Sequence, residues 1–180
     1  MTERDRDSVV LVVDDEPGLA DLYTVWLKTE TEYTVRTAYG GEEALERVDE
    51  TVDVVVTDRH MPPLSGDDLV QRLAERGLTC RTAMVTAVSP DFDIVGMDVD
   101  DYLTKPISQC ELLDVVGELL RRARHDPVTA ELHSLRAKQS ALQTAKSAGE
   151  LRENDAYCEL VERIETLDQS RPISDARRRA

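Results

Sequence analysis

The sequence predicts an α/β fold in which a five-stranded, parallel, doubly wound sheet is followed by an all-helical segment. Short runs of β-branched residues without polar alternation recur between residues 8 and 104, as in strands that helices cover on both faces. Amphipathic stretches separate these runs, so strand and helix alternate five times. Right-handed crossovers then give a doubly wound layer, whose ligand site is expected at the carboxyl ends of its strands.

The predicted strands follow one another at 8–13 (SVVLVV), 33–38 (YTVRTA), 53–57 (DVVVT), 81–87 (RTAMVTA) and 101–104 (DYLT). Apolar residues at helical spacing follow each of the first three strands, at 19–27, 44–48 and 69–73. A further helix is expected over 108–124, because Ser108 followed by Glu111 forms a capping-box pattern.

The charge of the chain excludes several classes of function. The net charge is -15, with 27 acidic and 13 basic residues in 1–125. Nucleic acids and anionic membranes bind through Lys and Arg, so a general affinity for either is disfavoured. Lysine is scarce, with 4 residues against 18 arginines, which is similar to the surface composition of proteins from salt-loving organisms.

Neither a membrane span nor a disulfide framework is expected. No apolar stretch approaches the ~20 residues of a spanning helix, and the N-terminus lacks a signal-peptide core, so we expect a soluble cytoplasmic protein. Cys80, Cys110 and Cys158 lie far apart without paired spacing. We interpret them as small buried or half-buried apolar groups.

Polar residues follow the ends of the predicted strands. Asp14-Asp15 end the first strand, Asp58 the third and Thr86 the fourth, and Lys105 follows the fifth. These ends meet at one sheet edge, and clustered carboxylates suit a hard divalent cation such as Mg²⁺. A carboxylate beside such an ion is a usable nucleophile towards a phosphoryl group.

Four motifs together resemble the receiver domain of two-component response regulators, which has a flavodoxin-like fold. They are Asp14-Asp15 after a strand, DRHMPPLSG from Asp58 to Gly66, Thr86-Ala87 after Met-Val, and DYLTKP from 101 to 106. The resemblance covers about residues 7–124, which we take as one domain.

The resemblance implies a role for each residue at the sheet edge. Asp58 would accept a phosphoryl group from the phosphohistidine of a sensor histidine kinase or phosphotransfer protein. Asp14, Asp15, Asp58 and the backbone carbonyl of His60 would hold Mg²⁺, and Lys105 would pair with the phosphoryl group. The chain would then be no enzyme beyond catalysing its own phosphorylation and dephosphorylation.

The resemblance also implies a switch. Thr86 would swing its hydroxyl onto the phosphoryl group, and Tyr102 would rotate inward to fill the space. Lys105-Pro106 would be a cis bond. One departure concerns 89–100 (SPDFDIVGMDVD), which has little apolar periodicity where the family has its fourth helix, so that helix is expected to be short or mobile.

Each residue also has a simpler interpretation. Asp14 alone could cap a helix that begins at Pro17, Thr86 could be a strand-end hydroxyl, and Tyr102 a core aromatic residue. The His60 side chain is more often solvated than catalytic. An acidic group lacks the glycine and closing glutamate of a calcium loop and is interpreted as a solvated face: Asp91, Asp93, Asp98, Asp100 and Asp101.

The segment after 124 changes character. Asp126-Pro127 breaks the preceding helix, and apolar residues then recur at helical spacing over 132–142 and 157–167. We expect two helices that pack as a hairpin or coiled coil with each other or with another chain. Residues 128–168 resemble the HalX domain that follows receivers in haloarchaeal regulators, and 1–6 and 169–180 are expected to be disordered.

The favoured hypothesis is a phosphorylation-switched response regulator whose helical segment changes its association, as in a homodimer, to regulate transcription. An alternative is a protein–protein interaction module without direct DNA binding. Direct DNA reading is disfavoured, because the segment shows no helix-turn-helix pattern. A phosphatase with an aspartyl nucleophile is disfavoured too, because it normally needs a second Asp where this chain has His60.

Overall fold

The computed structural model describes residues 8–122 and 127–170. Its first part is a five-stranded parallel sheet with strand order β2-β1-β3-β4-β5. The strands are β1 (Val9–Val13), β2 (Thr34–Ala38), β3 (Val54–Thr57), β4 (Arg81–Thr86) and β5 (Asp101–Thr104). Chain order and spatial order differ at β1, as in a doubly wound sheet, so the predicted fold class is confirmed.

The two central strands carry the core on both of their faces. All residues of β1 and β3 are buried, which explains the missing polar alternation. Leu11 packs with residues of α2 and α3 on one face, whereas Val10 and Val12 pack with α1 and α4 on the other. The register pairs Val13 with Thr57 and thereby brings the ends of these two strands together.

The helices of this part are α1 (Pro17–Glu30), α2 (Gly41–Arg47), α3 (Gly66–Glu75) and α4 (Gln109–Arg122). The predicted capping box at the start of α4 is present, since the Ser108 and Glu111 side chains each bond the other's backbone N–H. Between β4 and β5 lies only a short 3-10 helix (Phe92–Gly96), as the sequence of 89–100 predicted. The Asp91 side chain caps it by accepting a hydrogen bond from the Phe92 N–H.

The C-terminal part contains three helices, α5 (Pro127–Ala145), α6 (Ala148–Glu153) and α7 (Asp155–Ser170), so the prediction of two was incomplete. The cause is local capping. Ser147 and Glu150 form a capping box that starts α6, and the Asn154 side chain accepts from Tyr157 N–H to start α7.

The apolar stripes of α5 and α7 pack against each other and against the first part of the chain. They share one buried cluster with Met84, Ile94 and Tyr102. The prediction that the C-terminal helices pack against each other is confirmed. Their second partner is the chain's own sheet domain. The α7 helix ends at Ser170, so residues 169–170 of the predicted C-terminal tail are helical. The rest of the predicted tails, 1–6 and 171–180, lies outside the described residues.

The structure corrects the prediction for two of the three cysteines. Cys80 is half-buried, but Cys110 and Cys158 are exposed, so their interpretation as buried groups was wrong; they lie at outward positions of α4 and α7. Within 8–122 and 127–170 no helix is long and apolar enough to cross a membrane. The cytoplasmic location and the domain limits stay predictions.

Candidate functional site

The sheet itself positions the polar residues at its carboxyl edge. The hydrogen-bond ladder continues one residue past the strands. Asp14 N–H donates to Ala38 O at 3.2 Å, Asp58 N–H to Val13 O at 2.9 Å, and Lys105 N–H to Thr86 O at 2.8 Å. The backbone at these positions is therefore held by the sheet rather than by free loops.

Lys105 joins the two buried carboxylates of the edge. Its Nζ lies 2.7 Å from Asp14 Oδ2 and 3.1 Å from Asp58 Oδ1. Asp14 is 2% and Asp58 8% exposed, so their mutual repulsion is only weakly screened and the ammonium offsets it. Burial lowers the pKa of Lys105, but hydrogen bonds to Asp14 and Asp58 outweigh it, and the pKa lies above its ordinary value.

The second oxygen of each carboxylate is fixed by a neighbouring backbone N–H. Glu16 donates to Asp14 Oδ1 at 2.9 Å, and His60 donates to Asp58 Oδ2 at 3.0 Å. These local turns orient both carboxylates towards Lys105. The helix-cap interpretation of Asp14 is not what the structure shows, since Glu16 stands at the cap position of α1.

The predicted metal ligands are only partly assembled. Asp15 is exposed, and the described part of the chain contains no group of three acidic, His or Cys side chains suited to hold a metal. The remaining predicted ligand is the backbone carbonyl of His60, not its side chain. Asp14 and Asp58, however, are buried oxygen donors that already share one cation. That donor chemistry fits Mg²⁺, and Asp15 follows Asp14 directly in the sequence.

Thr86 and Tyr102 meet at one backbone residue. Thr86 is 1% exposed, and its Oγ1 accepts a hydrogen bond from Val88 N–H at 3.2 Å. The Tyr102 hydroxyl donates to the Val88 carbonyl at 3.0 Å. Tyr102 is buried in this structure, so the two predicted switch residues are linked through a residue that the sequence did not single out.

Sequence reasoning missed the structural roles of three residues, two at the site and one beside it. A Cβ on Gly66 would lie 2.2 Å from the Asp58 carbonyl oxygen, so only glycine fits the close approach of α3. Burial raises the pKa of Tyr23, whose phenol also lies in the field of the lysine and carboxylates of the edge. Arg59 is buried although it is charged.

The acidic group before β5 is not a simple solvated face. Asp91 and Asp93 are exposed but form ion pairs with Lys146 and Arg59. Asp100 is half-buried and accepts a hydrogen bond from Thr82 N–H at 2.8 Å. Burial raises the pKa of Asp101. The prediction of a solvated face was right for the exposed Asp91, Asp93 and Asp98 and wrong for the half-buried Asp100 and Asp101. The partners could not be predicted, because they lie far away in sequence.

Residues 10–117 match the response regulator receiver domain, and residues 121–170 match the HalX domain. The chain belongs to the response regulator receiver family. A protein of the haloarchaeon Haloferax volcanii, named as a candidate transcriptional regulator, is 48% identical over 165 residues, covering 92% of this chain and 28% of that protein. The acidic, lysine-poor composition of the receiver agrees with such a relative.

Further relatives share the receiver alone. The transcriptional regulatory protein CutR of Streptomyces coelicolor is 42% identical over 117 residues, covering 63% of this chain and 54% of that protein. Among solved structures, the Francisella response regulator 1452 receiver domain has a TM-score of 0.60 and 28% identity, covering 66% of this chain and 100% of that one. The BeF3-activated DrrB receiver domain has a TM-score of 0.58 and 26% identity, covering 64% and 99%.

The family defines the general role of the domain. Receiver domains are signalling modules of two-component systems, interact with histidine kinases or phosphotransfer proteins and generally use Mg²⁺. Many regulators that carry them are transcriptional regulators. The chain spans 28% of the Haloferax protein and about half of the bacterial regulators.

Proposed function

We propose that this chain is a two-component response regulator that accepts a phosphoryl group on Asp58 in a Mg²⁺-dependent reaction. The supporting observation is the buried pair of Asp14 and Asp58 that shares the Lys105 ammonium at the carboxyl edge of the sheet. The donor is the phosphohistidine of a histidine kinase or phosphotransfer protein. The receiver is proposed to span 7–124 and the helical domain 128–168.

In the transfer step, one carboxylate oxygen of Asp58 attacks the phosphorus atom. A P–O bond forms, the P–N bond breaks, and the imidazole leaves with the electron pair and takes up one proton. Lys105, held by Asp14, stabilises the negative charge on the phosphoryl oxygens. Bound Mg²⁺, held by Asp14, Asp15, Asp58 and the His60 carbonyl, would neutralise charge on the same oxygens.

The switch is proposed to work through Val88. The Thr86 hydroxyl turns from Val88 N–H to the phosphoryl group. Because the Tyr102 hydroxyl donates a hydrogen bond to the Val88 carbonyl, the Tyr102 side chain then changes its position. Tyr102 belongs to the apolar cluster that α5 and α7 share with the receiver. A change at Tyr102 therefore alters the association of the helical domain, and through it transcription.

A protein-interaction module without DNA contact is the second candidate. The near-neutral charge of 126–180, with 10 acidic and 9 basic residues, favours it. Retardation of promoter DNA by the purified protein at high salt supports the transcriptional role, and unchanged mobility supports the second candidate.

Incubation with a small phosphodonor and Mg²⁺, followed by intact-mass measurement, tests the proposal. The native protein and the control Asp114→Asn, which changes an exposed carboxylate on α4, are expected to gain one phosphoryl mass. Asp58→Asn is expected to gain none, and chelation of Mg²⁺ is expected to abolish the gain in the native protein and in Asp114→Asn. An equal gain in Asp58→Asn, or no gain in the native protein, contradicts the proposal.

A further inference from the structure

The side chain of Arg59 connects the proposed phosphoryl acceptor to two other elements. Arg59 follows Asp58 directly, and its side chain is 10% exposed. Its Nε and Nη2 lie 3.2 Å from Asp67 Oδ2 at the start of α3. Its Nη2 also pairs with Asp93 of the 3-10 helix. Burial lowers the pKa of Arg59, but hydrogen bonds to Asp93, Tyr102 and Asp67 outweigh it, so the guanidinium stays charged.

The 3-10 helix that carries Asp93 is the place where α5 is held. The buried Lys138 of α5 donates to the Val95 carbonyl at 3.4 Å and to the Met97 carbonyl. The Nζ of Lys146, the residue directly after α5, lies 3.0 Å from Asp91 Oδ1 and 5.4 Å from the centre of the Phe92 ring. A covalent and ionic connection thus runs from Asp58 through Arg59 and the 3-10 helix to the helical domain.

Arg59 interacts differently with its two carboxylate partners, Asp67 and Asp93. Both nitrogens near Asp67 converge on Oδ2, while Asp67 Oδ1 is buried and accepts no hydrogen bond from the described residues. The Asp93 side chain is 49% exposed, and solvent therefore weakens its pair with Arg59.

We propose that Arg59 is a positioning residue that couples the phosphorylation state of Asp58 to the docking of α5–α7 through its ion pair with Asp93. The inference rests on the proposed function. Arg59 follows Asp58 in the chain and hydrogen-bonds Tyr102, so a change in the position of Tyr102 on phosphorylation weakens the pair between the guanidinium and Asp93. Once that pair is lost, the 3-10 helix loosens, and the contacts of Lys138 and Lys146 loosen with it.

Hydrogen exchange of the full chain with and without phosphodonor tests the coupling, with intact mass read on the same samples. In the native protein, phosphorylation is expected to speed exchange in α5 and the 3-10 helix about fivefold, the loss of one partly exposed ion pair. Asp93→Asn, the milder change, and Arg59→Gln are expected to accept the same phosphoryl mass. Their α5 amides exchange faster from the start and respond to the phosphodonor less than about twofold.

Two further variants separate coupling from a structural role. Arg59→Lys keeps the charge and is expected to restore part of the response, and Arg72→Gln, an exposed arginine on α3, keeps the native response. A native response in phosphorylated Asp93→Asn and Arg59→Gln, or unchanged exchange in phosphorylated native protein, overturns the coupling. Absence of phosphoryl mass in the native protein instead removes the proposed function, and the coupling with it.

Discussion

Two lysines that are largely shielded from solvent have different partners, Lys105 at the carboxyl edge of the receiver sheet and Lys138 in α5 of the helical part. Lys105 has a side chain that is 16% exposed and lies between two carboxylates. Lys138 is 6% exposed and donates to backbone carbonyls of the 3-10 helix. The pKa of Lys105 is raised by its partners, whereas burial lowers the pKa of Lys138 and the fields of Asp98 and Asp100 only partly oppose this.

The difference shows how the two regions use charge. At the site, a fixed cation is required, because two buried carboxylates would otherwise repel each other. At the interface with the helical domain, most of the contact is apolar, and the ammonium adds orientation through carbonyl dipoles. Charge is therefore essential to the site and secondary at the interface, and the following variants test that contrast.

Replacement of the site lysine is expected to have the largest effect. Lys105→Met leaves Asp14 and Asp58 buried without a cation and should lower the free energy of unfolding by about 3 kcal/mol without Mg²⁺. Added Mg²⁺ should restore part of this loss. Chemical denaturation measures both, with Lys28→Met at the exposed end of α1 as control. A loss no larger than that of the control contradicts a charge-dependent site.

Loss of apolar contact at the interface comes next. Leu142 is fully buried where α5 meets the receiver, and Leu142→Ala should lower the free energy of unfolding by about 2 to 3 kcal/mol. Val128→Ala, at a residue 41% exposed, should change it by less than about 0.5 kcal/mol. Near-equal losses in the two variants, measured by urea titration, mean that α5 does not pack as described.

Crowding at the loop that follows Asp58 should have an intermediate effect. The Cβ of Gly66→Ala meets the Asp58 carbonyl and should cost about 1 to 3 kcal/mol of stability while slowing phosphoryl acceptance. Gly149→Ala, whose Cβ has no neighbour closer than 4.0 Å, is the control and should be neutral or slightly stabilising. A native rate of phosphoryl acceptance in Gly66→Ala would show that the position of this loop does not affect the transfer.

The smallest effect is the opposite pH response of the two lysines. Below the ordinary pKa of 10.5, Lys138 loses its proton in the folded state before the unfolded state does, so it adds stability as pH rises towards that value. Lys105 keeps its proton in the folded state above 10.5, so its contribution is lost as pH rises beyond it. In thermal melts from pH 9 to 11, the melting temperature should therefore rise less with pH in Lys138→Met than in the native protein. A melting temperature that rises more steeply in that variant contradicts a lowered pKa of Lys138.

The sheet and its edge could be predicted because both leave local signals. Unbroken apolar strands predicted burial on two faces, and Asp14, Asp58 and Lys105 each follow a strand, so parallel pairing alone brings them together. The docking of α5 and α7 could not be predicted, because an apolar stripe shows that a helix needs a partner without showing which. The burial of Arg59 was missed for a similar reason, since its partner Asp93 lies 34 residues away.

The most direct test of the central claim is to locate the phosphoryl group in the chain. The native protein, incubated with phosphodonor and Mg²⁺, is treated with borohydride to reduce any aspartyl phosphate and is then digested with trypsin. The account predicts that the reduced residue is Asp58 in the peptide of residues 48–59, with Asp49 and Asp53 of the same peptide unchanged. Reduction at Asp14, Asp15 or any other carboxylate, with Asp58 intact, would contradict it.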